Sequence, residues 1–425
     1  MTPFWLALSR RARRGVFDPS RRDLLKVLAA GLVAAAPARR GIASSEPRRV
    51  EIAVVGAGPF GASAAMHLAT DGVRSVVLIG PSEVEGGSSP AQQLASHYDE
   101  SRNATSMDSD PTWAELAQSS IEPLRALEKR AGIEILAEKG SLRVTQGHLA
   151  DGYFDLGGIR KNATKLGIEL IELSQSALAA RYPEARFDAD SRGLLQKSNA
   201  GLIRPRRLVA ALRRVATGDG ATWIDDEVAR IEPQTDHVDL LLAAGTRVRA
   251  QRVLVATGAA PIGSSLLALE PSASLAVHAH LPTHIEVPDD FETTLPPVMI
   301  TNSQGGEFFG GFVAPPIVYP DERRYIKVVG RTLRTSDGAR APDQVAGGVR
   351  AVKRIFPSLK PAEVLSRICM STDSESGRPI IDWVDSRIAV AIAGNGKGVK
   401  AALAIGRQAA NLVSASRPAR SSVAP

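Results

Sequence analysis

Gly56-Ala57-Gly58-Pro59-Phe60-Gly61 follows the apolar run Val50 to Val55 and precedes the small-residue stretch Ala62 to Thr70. The run reads as a strand buried on both faces, and the stretch after it as a helix. In that setting Gly56 allows the tight turn, Gly58 lets the backbone approach a phosphate, and Gly61 lets helix and strand pack closely. The helix start then presents unpaired N–H groups and a partial positive charge to an anion. Glycine turns of this spacing also occur for purely structural reasons. The strand before and the helix after favour a dinucleotide, and the motif leaves the chemistry open.

Upstream, Ser20-Arg21-Arg22-Asp23-Leu24-Leu25-Lys26 matches the twin-arginine export pattern, with Leu24 where the pattern often has Phe. Val27 to Ala36 is a short apolar run, and Ala36-Pro37-Ala38 or Gly41-Ile42-Ala43 offers a cleavage site. The run is too short to span a bilayer, so no stable membrane anchor is expected. Residues 1–43 therefore read as a twin-arginine signal peptide, with the export machinery as a partner and a periplasmic or otherwise exported location. A disordered basic tail is the alternative. The chain has 52 basic and 45 acidic residues, a net charge of +7, and residues 1–43 hold nine of the basic and two of the acidic ones. The remainder is 43 against 43. The basic excess belongs to the leader, so no nucleic-acid partner is expected.

Roughly 380 residues follow the leader, too many for one ordinary core and suited to two interleaved domains. Cys369 is the single cysteine, which excludes an intrachain disulfide and a thiolate-rich metal site. Of the seven histidines, His278, His280 and His284 lie closest together, but Leu281-Pro282 breaks helical spacing and no carboxylate cluster accompanies them. They read as a strand with outward histidines, and no metal site is expected.

The pattern elsewhere is mixed α/β. Ser75 to Ile79 reads as a second strand, and Pro111 to Ala131 as helix with a break at Pro123. Pro205 to Ala216 is a further helix, while 227–231, 238–243 and 246–250 read as short strands leading into the run 252–259. Residues 297–333 alternate strand signals with Gly and Pro. Ile388 to Ala393, the turn Gly394-Asn395-Gly396-Lys397-Gly398 and Val399 to Val413 give a strand, a second glycine turn and a closing helix.

The Gly56 motif, the 253–258 strand and the Gly394–Lys400 turn, in that order, resemble the FAD-dependent amine and amino-acid oxidases of the D-amino-acid oxidase superfamily. Within it the likeness is greatest to the monomeric sarcosine oxidase and N-methyl amino-acid oxidase group. The resemblance covers nearly all of residues 48–415 and is dense only at the motifs. It implies a Rossmann-like FAD-binding domain from residues 46–115, 195–262 and 365–415. Interleaved with it would be a substrate domain with a mixed or antiparallel sheet, from residues 116–194 and 263–364. Residues 416–425 are expected to form a disordered tail.

The resemblance also assigns residues. Gly56, Gly58, Pro59, Phe60 and Gly61 would hold FAD, with Val228, Thr257, Gly258, Gly394, Gly396, Lys397 and Gly398 lining it. The acidic ribose residue expected at the end of the second strand falls on Ile79 or Gly80, and Glu83 is the nearest carboxylate. Ser101 and Arg102 match a Thr-Arg pair beside the flavin ring, where a guanidinium would stabilise negative charge. Cys369 falls in the segment whose cysteine can be thioether-linked to the flavin, against a buried structural thiol. Lys327 matches the lysine at which oxygen reacts, and Lys400 the lysine that pairs with a substrate carboxylate. The bland readings are a solvated polar loop around Arg102, an outward strand lysine at 327 and a solvated helix start at 400.

The chemistry implied is oxidation of a C–N bond in an amine or amino acid. A hydride equivalent would pass to flavin N5, the imine would hydrolyse, and oxygen would be reduced to hydrogen peroxide. Two alternatives stand beside it: a periplasmic flavin dehydrogenase feeding a quinone or another carrier, and a flavin-binding protein with an eroded site. The chain departs from the family pattern at Thr105, Ser371 and Lys397, and at Phe308-Phe309 where a Tyr pair is expected. Losing a charged partner of the carboxylate costs roughly 1.5–3 kcal/mol of recognition. A bulkier or less acidic amine than sarcosine, or a modified amino acid, is therefore expected.

Overall fold

The computed structural model describes residues 46–83, 95–146, 155–259, 275–302, 309–330, 333–334, 341–361, 363–366 and 369–415. The expected signal peptide, the expected tail and Phe308 fall outside these residues, as does the side chain of Phe309.

Arg48–Val55 is the central strand of the first sheet. It pairs in parallel with Val76–Ile79 on one side and Arg247–Val255 on the other, so that Val54 lies between Leu78 and Leu254. Thr222–Ile224 and Ile388–Ile392 extend the parallel part outward. The first half of Arg247–Val255 instead pairs antiparallel with Val238–Leu242, which pairs with Val228–Pro233. Successive side chains of a strand face opposite ways. Ile52 and Val54 accordingly enter a core with the helices, while Ala53 and Val55 enter one with Val238 and Leu240. Burial on both faces is why residues 50–55 show no polar alternation.

Helices Pro59–Thr70, Pro205–Gly218 and Ala402–Ser414 pack on the first of these faces. A Cβ at Gly406 would collide with the Ser63 side chain, which is how closely the first and last of these helices approach. The break expected at Pro123 separates Pro111–Ile121 from Leu124–Ala131. Two boundaries differ from expectation. Residues 247–255 form one strand, because it pairs along its length with Arg48–Val55 while its two halves have different partners on the other edge. The closing helix is preceded by a tighter 3₁₀ turn over Gly398–Ala401.

Among the described residues the second sheet has eight strands. Their order is Val364–Ser366, Thr283–Glu286, Arg324–Val329, Phe309–Val318, Val298–Asn302, Ser141–Gln146, Ser191–Gln196 and Ile171–Leu173. All neighbours are antiparallel except Val298–Asn302 with Ser141–Gln146. Val352, Ile355 and Phe356 cover it with Ile285, Val298 and Ile326 in one core. Two three-stranded ribbons complete the fold. Gly201–Ile203 holds Arg102–Ala104 and Leu136–Ala137, and Leu275–His280 holds Cys369–Ser374 and Leu333–Arg334.

The outward histidine strand needs correction. Leu281-Pro282 ends the alternation, so His278 and His280 lie on Leu275–His280 while His284 begins a separate pairing on Thr283–Glu286. His284 is buried and the other two are partly buried. His278 stands 3.4 Å from Asp373, His280 bonds the Ser371 hydroxyl at 2.8 Å, and His284 is buried against the rings of Tyr319 and Tyr325.

Candidate active site

The glycine motif sits at the C-terminal end of the central strand. Gly56 has φ +104°, and a Cβ there would lie 2.5 Å from the Ala256 carbonyl oxygen and 2.9 Å from Thr257 N. A Cβ on Gly61 would collide with the Gly56 carbonyl. These two glycines are required by packing of the turn itself. Gly58 differs, because a Cβ there would meet only the His97 ring, at 3.6 Å, which leaves backbone that a ligand can approach. Helix Pro59–Thr70 has no side-chain cap hydrogen bond and no acid in its first turn. Its N–H groups and dipole are thus available to a pyrophosphate, and the cradle fits a dinucleotide.

The two glycine turns meet at Phe60. A Cβ on Gly398 would lie 2.9 Å from the Phe60 ring, and one on Gly394 3.7 Å from it. Gly396 is left-handed at φ +68°, as is Gly258 at +64°. The structure therefore places Gly394, Gly398, Thr257 and Gly258 around the first motif. Val228 is a buried residue of the edge strand Val228–Pro233. Glu83 is engaged by Arg206 through two bonds of 2.6 and 2.7 Å, and Arg206 also holds Glu100 at 2.9 Å.

Ser101, Arg102, Lys327 and Cys369 converge from separate parts of the chain. The Lys327 ammonium donates to Asp99 at 2.5 Å and to the Ser101 carbonyl at 2.7 Å. The Arg102 guanidinium pairs with the same Asp99 carboxylate, donates to the Ser101 and Ser96 carbonyls, and lies 4.0 Å from Cys369 Sγ. Tyr319 donates its hydroxyl to Asp99 at 2.9 Å. Lys327 is only 1% exposed, which excludes the outward strand lysine. Burial alone would raise the Asp99 pKa, but Lys327 and then Arg102 hold it well below the usual carboxylate range. Burial, then Arg102, lower Lys327 to about 8 against the pull of Asp99. Both are charged at neutral pH, leaving one net positive charge on the three groups.

A second cluster stands by the closing turn. Asp108 accepts from Lys397 at 2.8 Å and from Lys400 at 3.1 Å, and the Lys397 ammonium lies 5.6 Å from the Trp113 ring centroid. Burial would raise Asp108, yet Lys400 and Lys397 bring it down to about 2. Lys400 is 8% exposed, so the solvated helix start is excluded as well. Thr105, at the departure from the family pattern, donates to Gln196 at 2.9 Å.

Asp99, Asp108 and Tyr319 are the residues that sequence reasoning missed. Asp99 lay within the loop 96–102 already singled out, and the buried Lys327 demanded a counter-charge. For Asp108 and Tyr319 no local signal existed, since their partners are 289 and 220 positions away.

A parallel sheet with a glycine cradle, joined to an antiparallel sheet that contributes a buried cation, defines a dinucleotide-dependent protein of two interleaved sheets. Residues 51–412 match the DAO family of FAD dependent oxidoreductases, and the chain belongs to that family. Monomeric sarcosine oxidase from Streptomyces avermitilis is 28% identical over 216 residues, which is 50% of this chain and 52% of that protein. The match thus spans about half the length of that curated relative. Glycine oxidase from Geobacillus kaustophilus superposes with a TM-score of 0.66 at 21% identity, over 88% of this chain and 96% of its own. Fructosamine oxidase from Aspergillus fumigatus gives 0.66 at 20% identity, over 88% of each. These superpositions show a shared fold.

Proposed function

We propose that this chain is an FAD-dependent oxidase acting on the C–N bond of an amine or amino acid. The observation that carries the reading is the buried Lys327, meeting Ser101, Arg102 and Cys369 beside the Asp99 carboxylate. Its support is the family and the kind of reaction named in the sarcosine, glycine and fructosamine oxidases that it resembles. Gly56, Gly58, Gly61 and the start of helix Pro59–Thr70 would hold the pyrophosphate, with Gly394 and Gly398 alongside. FAD held there would supply the redox chemistry, oxidation of the substrate C–N bond coupled to reduction of oxygen to hydrogen peroxide. Asp99 keeps Arg102 and Lys327 charged and fixed, so the site presents one net positive charge where negative charge accumulates. Cys369 is the candidate for a covalent link to the flavin.

The substrate follows from Asp108. Both Lys397 and Lys400 already hold a buried carboxylate, with which a substrate carboxylate would have to compete. This favours amines with a weak or absent acidic group over small amino acids. A second reading, a dehydrogenase with another acceptor, is favoured by the same Asp99 that offsets the charge of Lys327. We further propose export through the twin-arginine leader at residues 1–43.

Purified protein tests these points. Bound FAD and peroxide release across a panel of amines and N-alkyl amino acids are expected. Rapid dye reduction without peroxide would replace the oxidase with the dehydrogenase. Flavin that survives acid precipitation and is lost in Cys369→Ala would establish the thioether.

A further inference from the structure

The second strand ends on Ile79-Gly80, with no acid at the ribose position; beyond it Glu83 is held by Arg206, and Asp225 accepts from Ser82 N and Oγ at 2.6 Å. A cation stands there instead. Arg213, on helix Pro205–Gly218, donates through Nη2 to the Ala57 carbonyl at 3.0 Å and to the Pro81 carbonyl at 3.4 Å. It therefore bridges the glycine turn and the end of the second strand. Its guanidinium lies over the Trp223 ring, 4.5 Å from Cζ to centroid, and Trp223 is itself fixed by donating to the Gly80 carbonyl at 3.0 Å.

What Arg213 lacks among the described residues is a paired anion, since Asp225 acts on it without a salt bridge. Arg206 has Glu83 and Glu100, and Arg102 has Asp99, whereas no carboxylate among the described residues is within salt-bridge distance of Arg213. Its Nε is buried without a hydrogen-bond partner, and Nη1 donates to no described residue. Burial lowers its pKa, as expected of a guanidinium short of compensation. The His97 ring, against Gly58, reports the same excess: burial and then Arg213, ahead of Arg206 and Arg102, push its pKa down to about 3. A half-buried guanidinium held rigidly by backbone and stacked on an indole, with unused donors, is suited to a phosphate oxygen.

We propose that Arg213 binds a phosphate of the dinucleotide and anchors its adenosine half in place of the missing ribose acid. This rests on the chain being an FAD protein. In that role Arg213 supplies affinity for the nucleotide and takes no part in the oxidation.

The test uses holoenzyme in a Cys369→Ala background, so that no covalent link hides release. FAD dissociation is followed by flavin fluorescence on dilution, and ADP and adenosine are compared as displacing ligands. Arg213→Met is expected to weaken FAD and ADP binding about tenfold or more, with Arg213→Lys in between and adenosine unchanged. Arg207→Met, an exposed arginine of the same helix, should change none of these. Equal loss for ADP and adenosine would make Arg213 a structural residue and overturn the proposal, as would FAD and ADP affinities within twofold of the parent. A parent that holds no FAD, but whose ADP affinity still depends on Arg213, would overturn the oxidase reading and keep the phosphate site. A parent that binds neither would overturn both.

Discussion

Lys327 shows what a buried partner does to an ordinary side chain. On an exposed strand its ammonium would stay charged past pH 10, whereas burial and Arg102 lower it to about 8. If this ammonium promotes reaction with oxygen, the charged form is the active one and is lost as pH rises through about 8. Stopped-flow reoxidation of reduced holoenzyme by oxygen should therefore slow across that range. Lys327→Met should be slower by about 10²-fold at every pH, while flavin reduction by substrate stays near normal. A flat pH profile from 6 to 10 would remove Lys327 from that role. Asp99→Asn provides an internal check. With the carboxylate gone, Lys327 faces Arg102 alone, and the midpoint of the profile should move below 8. An unmoved midpoint would mean that Asp99 does not set the Lys327 charge.

Among the elements, the contact of helix Pro59–Thr70 with Ala402–Ser414 positions both glycine turns. The Gly406 Cα rests on Ser63, and Phe60 fills the space over Gly394 and Gly398. Gly406→Ala should destabilise the protein by about 1–3 kcal/mol through overpacking. Adding Ser63→Gly should recover part of that loss, because it removes the opposing Cβ; equal denaturation midpoints for the single and double variants would refute the contact. Local pattern made much of this legible. Residues 50–55, the Pro123 break and the strand–turn–helix at 388–414 depend on neighbours in sequence, and each appears where hydrophobic and glycine spacing put it. The ion pairs were not legible in the same way. Asp99 with Lys327 and Asp108 with Lys397 are long-range pairs, and a carboxylate in a polar loop looks the same in sequence whether it is solvated or buried. His284 failed for a related reason, since its inward direction is set by pairing with Arg324–Val329 and not by its own strand.

For the molecule as a whole, these two carboxylates tie together parts of the fold that no backbone ladder joins. Asp99, in the loop before Arg102–Ala104, holds Lys327 of the second sheet, and Asp108 holds the turn that follows Ile388–Ile392 of the first. Both have folded pKa values below their unfolded ones, so the stability they contribute is present above about pH 4 and is lost as pH falls. For Asp108 the window runs from the unfolded value near 3.8 down to about 2, worth about 2 kcal/mol. Asp99 extends the loss to lower pH. Glu100 and Asp373 act in the opposite sense, because burial raises both, while Glu128, Glu138 and Asp239 are lowered like Asp99 and Asp108. Denaturant midpoints of the holoenzyme, taken at fixed FAD concentration from pH 7 to 2, should begin to fall below about pH 6.5, where unfolding lets His67, His97 and His280 (held at about 4, 3 and 4) take up protons, and the two carboxylates add their loss below pH 4. Asp108→Asn should be less stable at pH 7, because the buried Lys400 and the half-buried Lys397 lose this carboxylate, yet lose about 2 kcal/mol less on acidification. An acid slope in Asp108→Asn equal to that of the parent would show that the Asp108 pair does not couple the closing turn to the rest of the fold.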